Sequence, residues 1–233
     1  MSDAVGHDTL GAEGAEAMRL IRRVALIALL SIGLGFVIQG LILTAKLWGG
    51  VFPASTTVVS DLTHGITWSL LICVGVGMIT ALSKARPAIA GALSLLAAPL
   101  AVAIAKASQK MMAGLIDAAD QQAALSLSAV AGLRAIEYGV LGWLLAALVQ
   151  KSETRASRYF GVGGAVGVVF GGAIAWFAYH AALTKGLNPG TVQIVSSIIN
   201  EVVFPLGCAG IIYAAQFVSR SASLVEKARA ATS

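Results

Sequence analysis

The sequence predicts an all-α, polytopic membrane helix bundle with six transmembrane helices. The chain of 233 residues is 58% hydrophobic and only 12% charged, its mean hydropathy is +0.85, and its apolar residues fall into six long runs. Soluble domains average about 25% charged residues. A helix needs about 20 apolar residues to cross a bilayer, whereas the strands of a membrane barrel would be about 10 residues of alternating pattern. The runs fit helices.

The six predicted spans cover residues 24–45, 57–82, 87–105, 123–149, 159–183 and 191–218. The first is longer than the apolar region of a secretory signal peptide, so we interpret it as an uncleaved span. Residues 1–18 are predicted to be a polar cytoplasmic tail, residues 19–220 the transmembrane domain and residues 221–233 a second cytoplasmic tail. The connection 106–122 has no proline, and it is predicted either to lie on the membrane surface or to prolong the third span.

Positive charges alternate between the connections and predict the orientation. One set of connections, together with both termini, holds eleven lysines and arginines: Arg19, Arg22, Arg23, Lys84, Arg86, Lys151, Arg155, Arg158, Arg220, Lys227 and Arg229. The other set holds four: Lys46, Lys106, Lys110 and Lys185. Because positive loops stay in the cytoplasm, both termini are predicted to be cytoplasmic. We expect the cytoplasmic (inner) membrane of a prokaryote-like cell. Aromatic residues do not accompany these charges, which argues against nucleic-acid binding.

An internal repeat is our hypothesis for the first and third pairs of spans. When Arg22 is placed on Arg158, segment 22–84 aligns with segment 158–220 without a gap, and eleven of the aligned pairs are identical. These pairs include Gly50 with Gly186 and Pro53 with Pro189. We term this register the repeat alignment. Both copies begin and end on the cytoplasmic side, so the repeat is parallel. The predicted architecture is three helical hairpins around a common centre.

Glycines at four-residue spacing predict close helix packing. Gly163, Gly167 and Gly171 lie on one face of the fifth span. Small residues on one stripe let two helix backbones approach each other. The sequence leaves open whether these glycine-rich faces serve folding of the chain, a homo-oligomer or a partner membrane subunit.

Six polar side chains lie inside the apolar segments, all on even-numbered spans: Asp61, His64, Arg134, Glu137, Asn200 and Glu201. Counting from the basic residue that ends each span places His64 and Asn200 at one level. Arg134 and Glu137 are three residues apart, so they share a helix face and can pair. Ionisable groups inside a membrane are costly and face a bundle interior or a water-filled cavity. We therefore expect these side chains to meet in a lipid-shielded centre.

Pro205 lies four residues after Glu201 and is predicted to kink the sixth span. Proline has no amide N–H, so the Glu201 carbonyl loses its helical hydrogen bond. Interrupted helices of this kind line binding sites in transporters. In this interpretation Glu137 and Glu201 carry protons or bind cations, and Arg134 neutralises Glu137 or holds an anion.

The leading functional hypothesis is a small transporter or channel-like unit that moves an ion, a proton or a small polar solute through the polar interior. The alternative is a non-catalytic membrane subunit or assembly factor, in which the same residues clamp the helices. A haem- or quinone-binding subunit is the third hypothesis, since His64 and His180 reach similar depths. No catalytic motif and no metal-ligand spacing occurs in the sequence, so no enzyme activity, metal or cofactor is predicted. The lipid bilayer is the predicted environment.

Overall fold

The computed structural model describes residues 3–82, 86–118 and 125–230, and this part of the chain contains six helices long and apolar enough to cross a membrane. The first four are α1 (Asp3–Trp48), α2 (Ser55–Leu82), α3 (Pro87–Leu115) and α4 (Leu127–Gln150). The fifth span joins α5 (Ala156–Val166), a π-helical turn (Gly167–Gly171) and α6 (Gly172–Thr184). The sixth joins α7 (Thr191–Ile198), a π-helical turn (Ile199–Val203) and α8 (Phe204–Ala230). The all-helical fold and its six apolar helices are confirmed, which is the architecture of a multi-pass membrane protein.

Several helix boundaries differ from the predicted ones. α1 begins at Asp3, within the segment predicted as a tail. α3 continues to Leu115, so the connection after it prolongs the third span, which was one of the two predicted alternatives. The reason is that no proline or capping residue stops the helix before Gly114. α8 continues to Ala230, into the second predicted tail. Lys84, residues 119–122 of the predicted second outer connection and the first two residues of the predicted fourth span, 123–124, lie outside the described residues.

The even-numbered spans form the centre of the bundle. α2, α4 and the sixth span contact one another, and the odd-numbered spans pack around them. α1 packs against α2 and α8, α3 packs against α4 and α2, and α5 packs against α8 and α4. Each outer helix therefore lies between the inner helix that follows it in the chain and one other inner helix, in cyclic order. This arrangement places the polar residues of the even-numbered spans in the interior.

The first and third connections turn with the same backbone geometry. Gly50 and Gly186 adopt left-handed φ angles of +75° and +72°. Each amide donates to the carbonyl three residues earlier, at 3.1 and 3.0 Å. Glycine adopts these angles without the steric cost that a Cβ would add. The helices that follow, α2 and α7, begin at Ser55 and Thr191, which are paired with each other in the repeat alignment.

Glycines also permit close helix contact within the first pair of spans and within the third pair. A Cβ at Gly35 would lie 2.8 Å from the Cα of Ile66. A Cβ at Gly171, the partner of Gly35 in the repeat alignment, would collide with the carbonyl of Glu201 and lie 3.2 Å from the amide nitrogen of Val202. Ile66 and Val202 are themselves partners in that alignment. The contact of Gly35 with Ile66 and the contact of Gly171 with Val202 are therefore close backbone approaches at equivalent positions of the two pairs.

The glycine stripe of the fifth span is used within the chain. A Cβ at Gly163 would lie 2.7 Å from the carbonyl oxygen of Pro205, and Gly167 lies directly against the carbonyl of Val202. Gly171 continues this contact one turn further along. The sixth span therefore covers the stripe, and these glycines serve folding of the chain.

The two ends of the bundle have different contacts. At the end where α1, α3 and α6 finish, which we term the turn end, Lys46 pairs with Asp61 at 3.3 Å. At the opposite end, which we term the basic end, Arg220 donates to the carbonyl of Glu153 at 3.0 Å and Arg158 pairs with the Glu153 carboxylate at 2.8 Å. The amide of Arg155, aided by the Arg158 guanidinium, holds the pKa of Glu153 below its usual value. Glu153 therefore stays ionised at neutral pH and keeps its pair with Arg158, while its backbone carbonyl, through Arg220, tethers α8 to the α4–α5 connection.

Substituting Gly171 tests the helix contact that this fold requires. Gly171→Ala should lower the free energy of unfolding by about 1–3 kcal/mol, because the methyl group overpacks the contact with Glu201. Gly172→Ala is the matched control, since nothing lies within 4 Å of a Cβ at that position, and it should leave stability unchanged or slightly raised. Unfolding of the purified chain in detergent measures both. Equal effects of the two substitutions would contradict the contact.

Candidate functional site

Arg134 joins two carboxylates in the centre of the bundle. Its Nη1 donates to Glu137 Oε2 at 2.9 Å, and its Nη2 lies 2.6 Å from Glu201 Oε2. Arg134 is 5% exposed, Glu137 is fully buried, and Glu201 is 9% exposed. Arg134 and Glu137 stand one turn apart on α4, and Glu201 comes from the π-helical turn of the sixth span. The structure thus brings these three candidate residues into one cluster.

The chemistry of this cluster follows from its one guanidinium and two carboxylates. A guanidinium has five N–H donors in a planar fork, so Arg134 can bind two carboxylates at once. Burial of each charge is costly, and mutual pairing offsets that cost. With every group ionised, the cluster has one net negative charge, and Glu137 Oε1 has no hydrogen-bond partner in the described part of the chain. The cluster can therefore take up one proton while Arg134 keeps a carboxylate partner.

The backbone around Glu201 departs from regular α-helix. Residues Ile199–Val203 form a π-helical turn, and Pro205 follows two residues later. Because Pro205 cannot donate to the Glu201 carbonyl, the ordinary α-helical pattern is interrupted there. The interruption predicted at Pro205 thus takes the form of a π-helical turn. Such turns are frequent at functional sites in helices.

Three aromatic rings pack together on the basic-end side of the cluster. Trp68, Tyr138 and Phe204 come from α2, α4 and α8, and their ring centroids are 5.5, 6.0 and 6.2 Å apart. The guanidinium carbon of Arg134 lies 5.1 Å from the centroid of the Trp68 ring, a cation–π distance. All three rings are buried. We term this set the aromatic layer.

A polar residue stands one helical turn before each ring of the aromatic layer. His64 precedes Trp68, Arg134 precedes Tyr138, and Asn200 precedes Phe204, each by four residues. Residues four apart lie on one face of a helix. On each of the three inner helices a polar residue is therefore followed, one turn later, by an aromatic ring. The polar residues form one layer of the bundle, and the rings form the next layer toward the basic end.

A pocket of about 590 Å³ lies on the turn-end side of the aromatic layer. We term it the central pocket, and its lining includes four of the six candidate residues: His64, Arg134, Asn200 and Glu201. Trp68 lines it as well, together with two lysines of α3, Lys106 and Lys110, and several apolar residues of α3 and α4. Its size is typical of a site for a small molecule.

Asp61 lies outside the central pocket. Its carboxylate pairs with Lys46 and accepts a hydrogen bond from Gln109 Nε2 at 3.2 Å. Lys106 in turn donates to Gln109 Oε1 at 2.8 Å. Asp61 is therefore part of a polar chain at the turn end that leads to a lysine of the central pocket, and it does not join the Arg134 cluster.

Several buried polar atoms near the pocket have no hydrogen-bond partner among the described residues. They are His64 Nδ1, Trp68 Nε1, Glu137 Oε1 and Tyr138 Oη. A buried polar atom without a partner costs about 1–3 kcal/mol, so native structures normally satisfy such atoms. Two of these four residues, His64 and Trp68, line the central pocket, and the other two do not.

Two histidines considered as a haem pair are in different surroundings. His64 lines the central pocket, whereas His180 is on an exposed part of α6, where its ring contacts Trp176 at a centroid distance of 4.1 Å and a tilt of 60°. The structure does not bring these two side chains together.

Sequence reasoning missed the lysines of the central pocket and the aromatic layer. Lys106 and Lys110 were assigned to a connection, because the predicted third span ended at residue 105. The rings could have been found from their spacing, since each follows a candidate polar residue by four positions. Comparisons of the chain with protein-family models, with curated proteins and with solved structures gave no match.

Removal of the Arg134 guanidinium should destabilise the fold, because it removes the positive charge of the cluster. Arg134→Leu leaves two buried carboxylates without their partner, so we expect a loss of about 3–5 kcal/mol in the free energy of unfolding. Arg155→Leu, at an exposed arginine of the basic end, is the control and should change stability by less than about 0.5 kcal/mol. Chemical unfolding in detergent compares them. A stability loss that is no larger for Arg134→Leu than for the control would contradict the geometry described.

Proposed function

We propose that this chain is a small membrane transporter or channel-like unit that moves an ion, a proton or a small polar solute through the interior of the bundle. The central pocket carries the proposal, because it combines buried ionisable groups with polar atoms that have no protein partner among the described residues. Ionisable residues placed inside a membrane protein commonly mark the pathway of a solute or proton. A clamp alone would favour a cluster in which every polar atom is satisfied within the protein.

The proposal favours a transporter over a permanently open pore. The central pocket lies on one side of the aromatic layer, and on the other side the inner helices bury Ile72, Leu141 and Ile212. In the described residues, this leaves apolar packing between the pocket and the basic end. Passage of a polar solute then requires the inner helices to separate, as in alternating access.

The orientation that we propose follows from the charges. Described arginines and lysines of the connections and terminal segments, counted together, are more numerous at the basic end, and by the positive-inside rule this supports a cytoplasmic location for that end and for both termini. The central pocket would then be on the outer side of the membrane. The membrane is proposed to be the cell membrane.

We also propose that three hairpins build the bundle and that the first and third are repeats. Two smaller pockets, of about 200 and 390 Å³, lie within these hairpins. Seven lining positions of one pocket are paired with lining positions of the other in the repeat alignment: Gln39/Ala175, Ile42/Ala178, Leu43/Tyr179, Lys46/Ala182, Pro53/Pro189, Val58/Ile194 and Asp61/Ser197. The shared turn and the shared glycine contact support the same register. With the cyclic packing of the outer helices, they favour a pseudo-threefold arrangement.

Replacing Glu137 tests the pathway directly. In liposomes that contain the purified chain, stopped-flow light scattering reports the influx of small polar solutes, and entrapped pyranine reports protons. Glu137→Gln should lower the protein-dependent flux about tenfold or more at an unchanged unfolding midpoint, because the amide keeps the shape but carries no charge or proton. Glu153→Gln is the control. Loss of folded protein in Glu137→Gln would favour a helix clamp, and a wild-type flux equal to empty liposomes would contradict transport.

Two native cysteines test the motion without knowledge of the solute. Cys73 and Cys208 are fully buried about one turn beyond the aromatic layer. If the inner helices separate, N-ethylmaleimide should modify Cys208 in the folded chain about tenfold faster than a cysteine at Ala98, a fully buried position on α3, in a Cys-free background. Mass spectrometry measures both rates. Equal rates would indicate a static bundle.

A further inference from the structure

We propose that the central pocket binds a small organic anion, whose acidic group (a carboxylate or a phosphate) lies between Lys106 and Lys110 and whose apolar part lies against α4. This inference rests on the proposed function, because it takes the central pocket to be the solute site. It adds the chemical class of the solute.

The charges that line the pocket are mainly positive. Lys106, Lys110 and Arg134 face it, and Glu201 is the carboxylate among the described lining residues. Glu201 is already paired with Arg134 at 2.6 Å. The charges left for a solute are therefore those of the two lysines, which attract an anion.

The lysines are available to a ligand. Lys106 Nζ donates to the neutral Oε1 of Gln109, and an ammonium has three donors, so two remain. Neither lysine forms a salt bridge with a described residue. Asp61, the nearest described carboxylate along the α3 hydrogen-bond chain, is engaged by Lys46 and by the amide of Gln109.

The shape of the pocket fits an organic anion better than a bare inorganic ion. Lys106 and Lys110 share one face of α3 with Ala103 and Ala107, and these small side chains leave room between the ammonium groups. Apolar lining comes from Leu125, just before α4, and from Leu127 and Val130 at its start. Binding sites for small molecules combine such apolar walls with a few polar groups that fix the orientation.

The inner end of the pocket offers hydrogen bonds to a second polar group of the solute. Trp68 Nε1 is a donor, His64 Nδ1 is a donor or an acceptor, and both are buried without a partner in the described chain. A cation is disfavoured there, because Arg134 occupies the face of the Trp68 ring and engages Glu201. Glu137, whose Oε1 has no hydrogen-bond partner among the described residues, is fully buried and does not line the pocket.

A set of solutes that differ only in the charged group tests this inference. Isothermal titration calorimetry would compare benzoate, phenyl phosphate, benzyl alcohol and benzylammonium, with the full chain in nonionic detergent at low salt. Benzoate or phenyl phosphate should bind about tenfold or more tightly than the alcohol and the amine, as expected for charge-assisted hydrogen bonds. The Lys106→Gln/Lys110→Gln double variant should lose this preference. Lys185→Gln, a lysine near the turn end that does not line the pocket, should retain it.

The outcomes separate this inference from the proposed function. Tighter binding of benzylammonium, or failure of both anions to bind, would overturn the anion site. An anion preference that persists in the double variant would overturn the role of the two lysines. Binding of phosphatidylglycerol to the chain but not to the Lys106→Gln/Lys110→Gln double variant, with no binding of either soluble anion, would assign the pocket to a lipid headgroup and would also overturn it. Anion binding without benzoate uptake into proteoliposomes would keep the site and count against transport. Uptake of benzylammonium without anion binding would support transport and would overturn the anion site.

Discussion

A guanidinium buried between two carboxylates requires a particular environment, and the bundle supplies it. Arg134 can stay ionised in an apolar interior because Glu137 and Glu201 surround it, and because the Trp68 ring lies against it. Glu201 reaches Arg134 only if the sixth span packs beside α4, and the glycine contacts that hold the fifth span against the π-helical turn support Glu201 from behind. The aromatic layer then closes the side of the cluster that faces the basic end. The order of the helices, the positions of the glycines and the packing of the rings therefore all contribute to the environment of this one set of charges.

A structural clamp and a solute pathway are compatible within this arrangement. The two carboxylates share one guanidinium, so a proton or a solute that neutralises either of them changes how strongly α4 holds the sixth span. Pairing energy in a low-dielectric interior is large enough for such a change to shift a conformational equilibrium. In the proposed function, the cluster that holds α4 to the sixth span is thus also the place where a bound proton or solute weakens that contact.

Much of the fold was predictable, because each apolar run is long enough to cross a membrane and because the two ends of the bundle differ in the number of positive residues. The pairing of Arg134 with Glu137 followed from their spacing on one helix. Other features depend on long-range packing. Lys106 and Lys110 looked like residues of a connection until α3 was seen to continue to Leu115. Trp68 and Phe204 look like ordinary membrane-helix residues in the sequence, and only the packing of α2 and α8 beside α4 brings them against Tyr138. Asp61 was grouped with the central residues, although Lys46 and Gln109 hold it at the turn end.

The two π-helical turns face each other, one in the fifth span and one in the sixth. A π-helical turn accommodates an additional residue, which rotates everything beyond it by about 100° relative to an unbroken α-helix. Both spans therefore depart from regular α-helix at the same level, where Gly167 and Gly171 contact the backbone of Val202 and Glu201. Loss of one residue from either turn would rotate the part of that helix beyond it and would change which of its side chains face the neighbouring span.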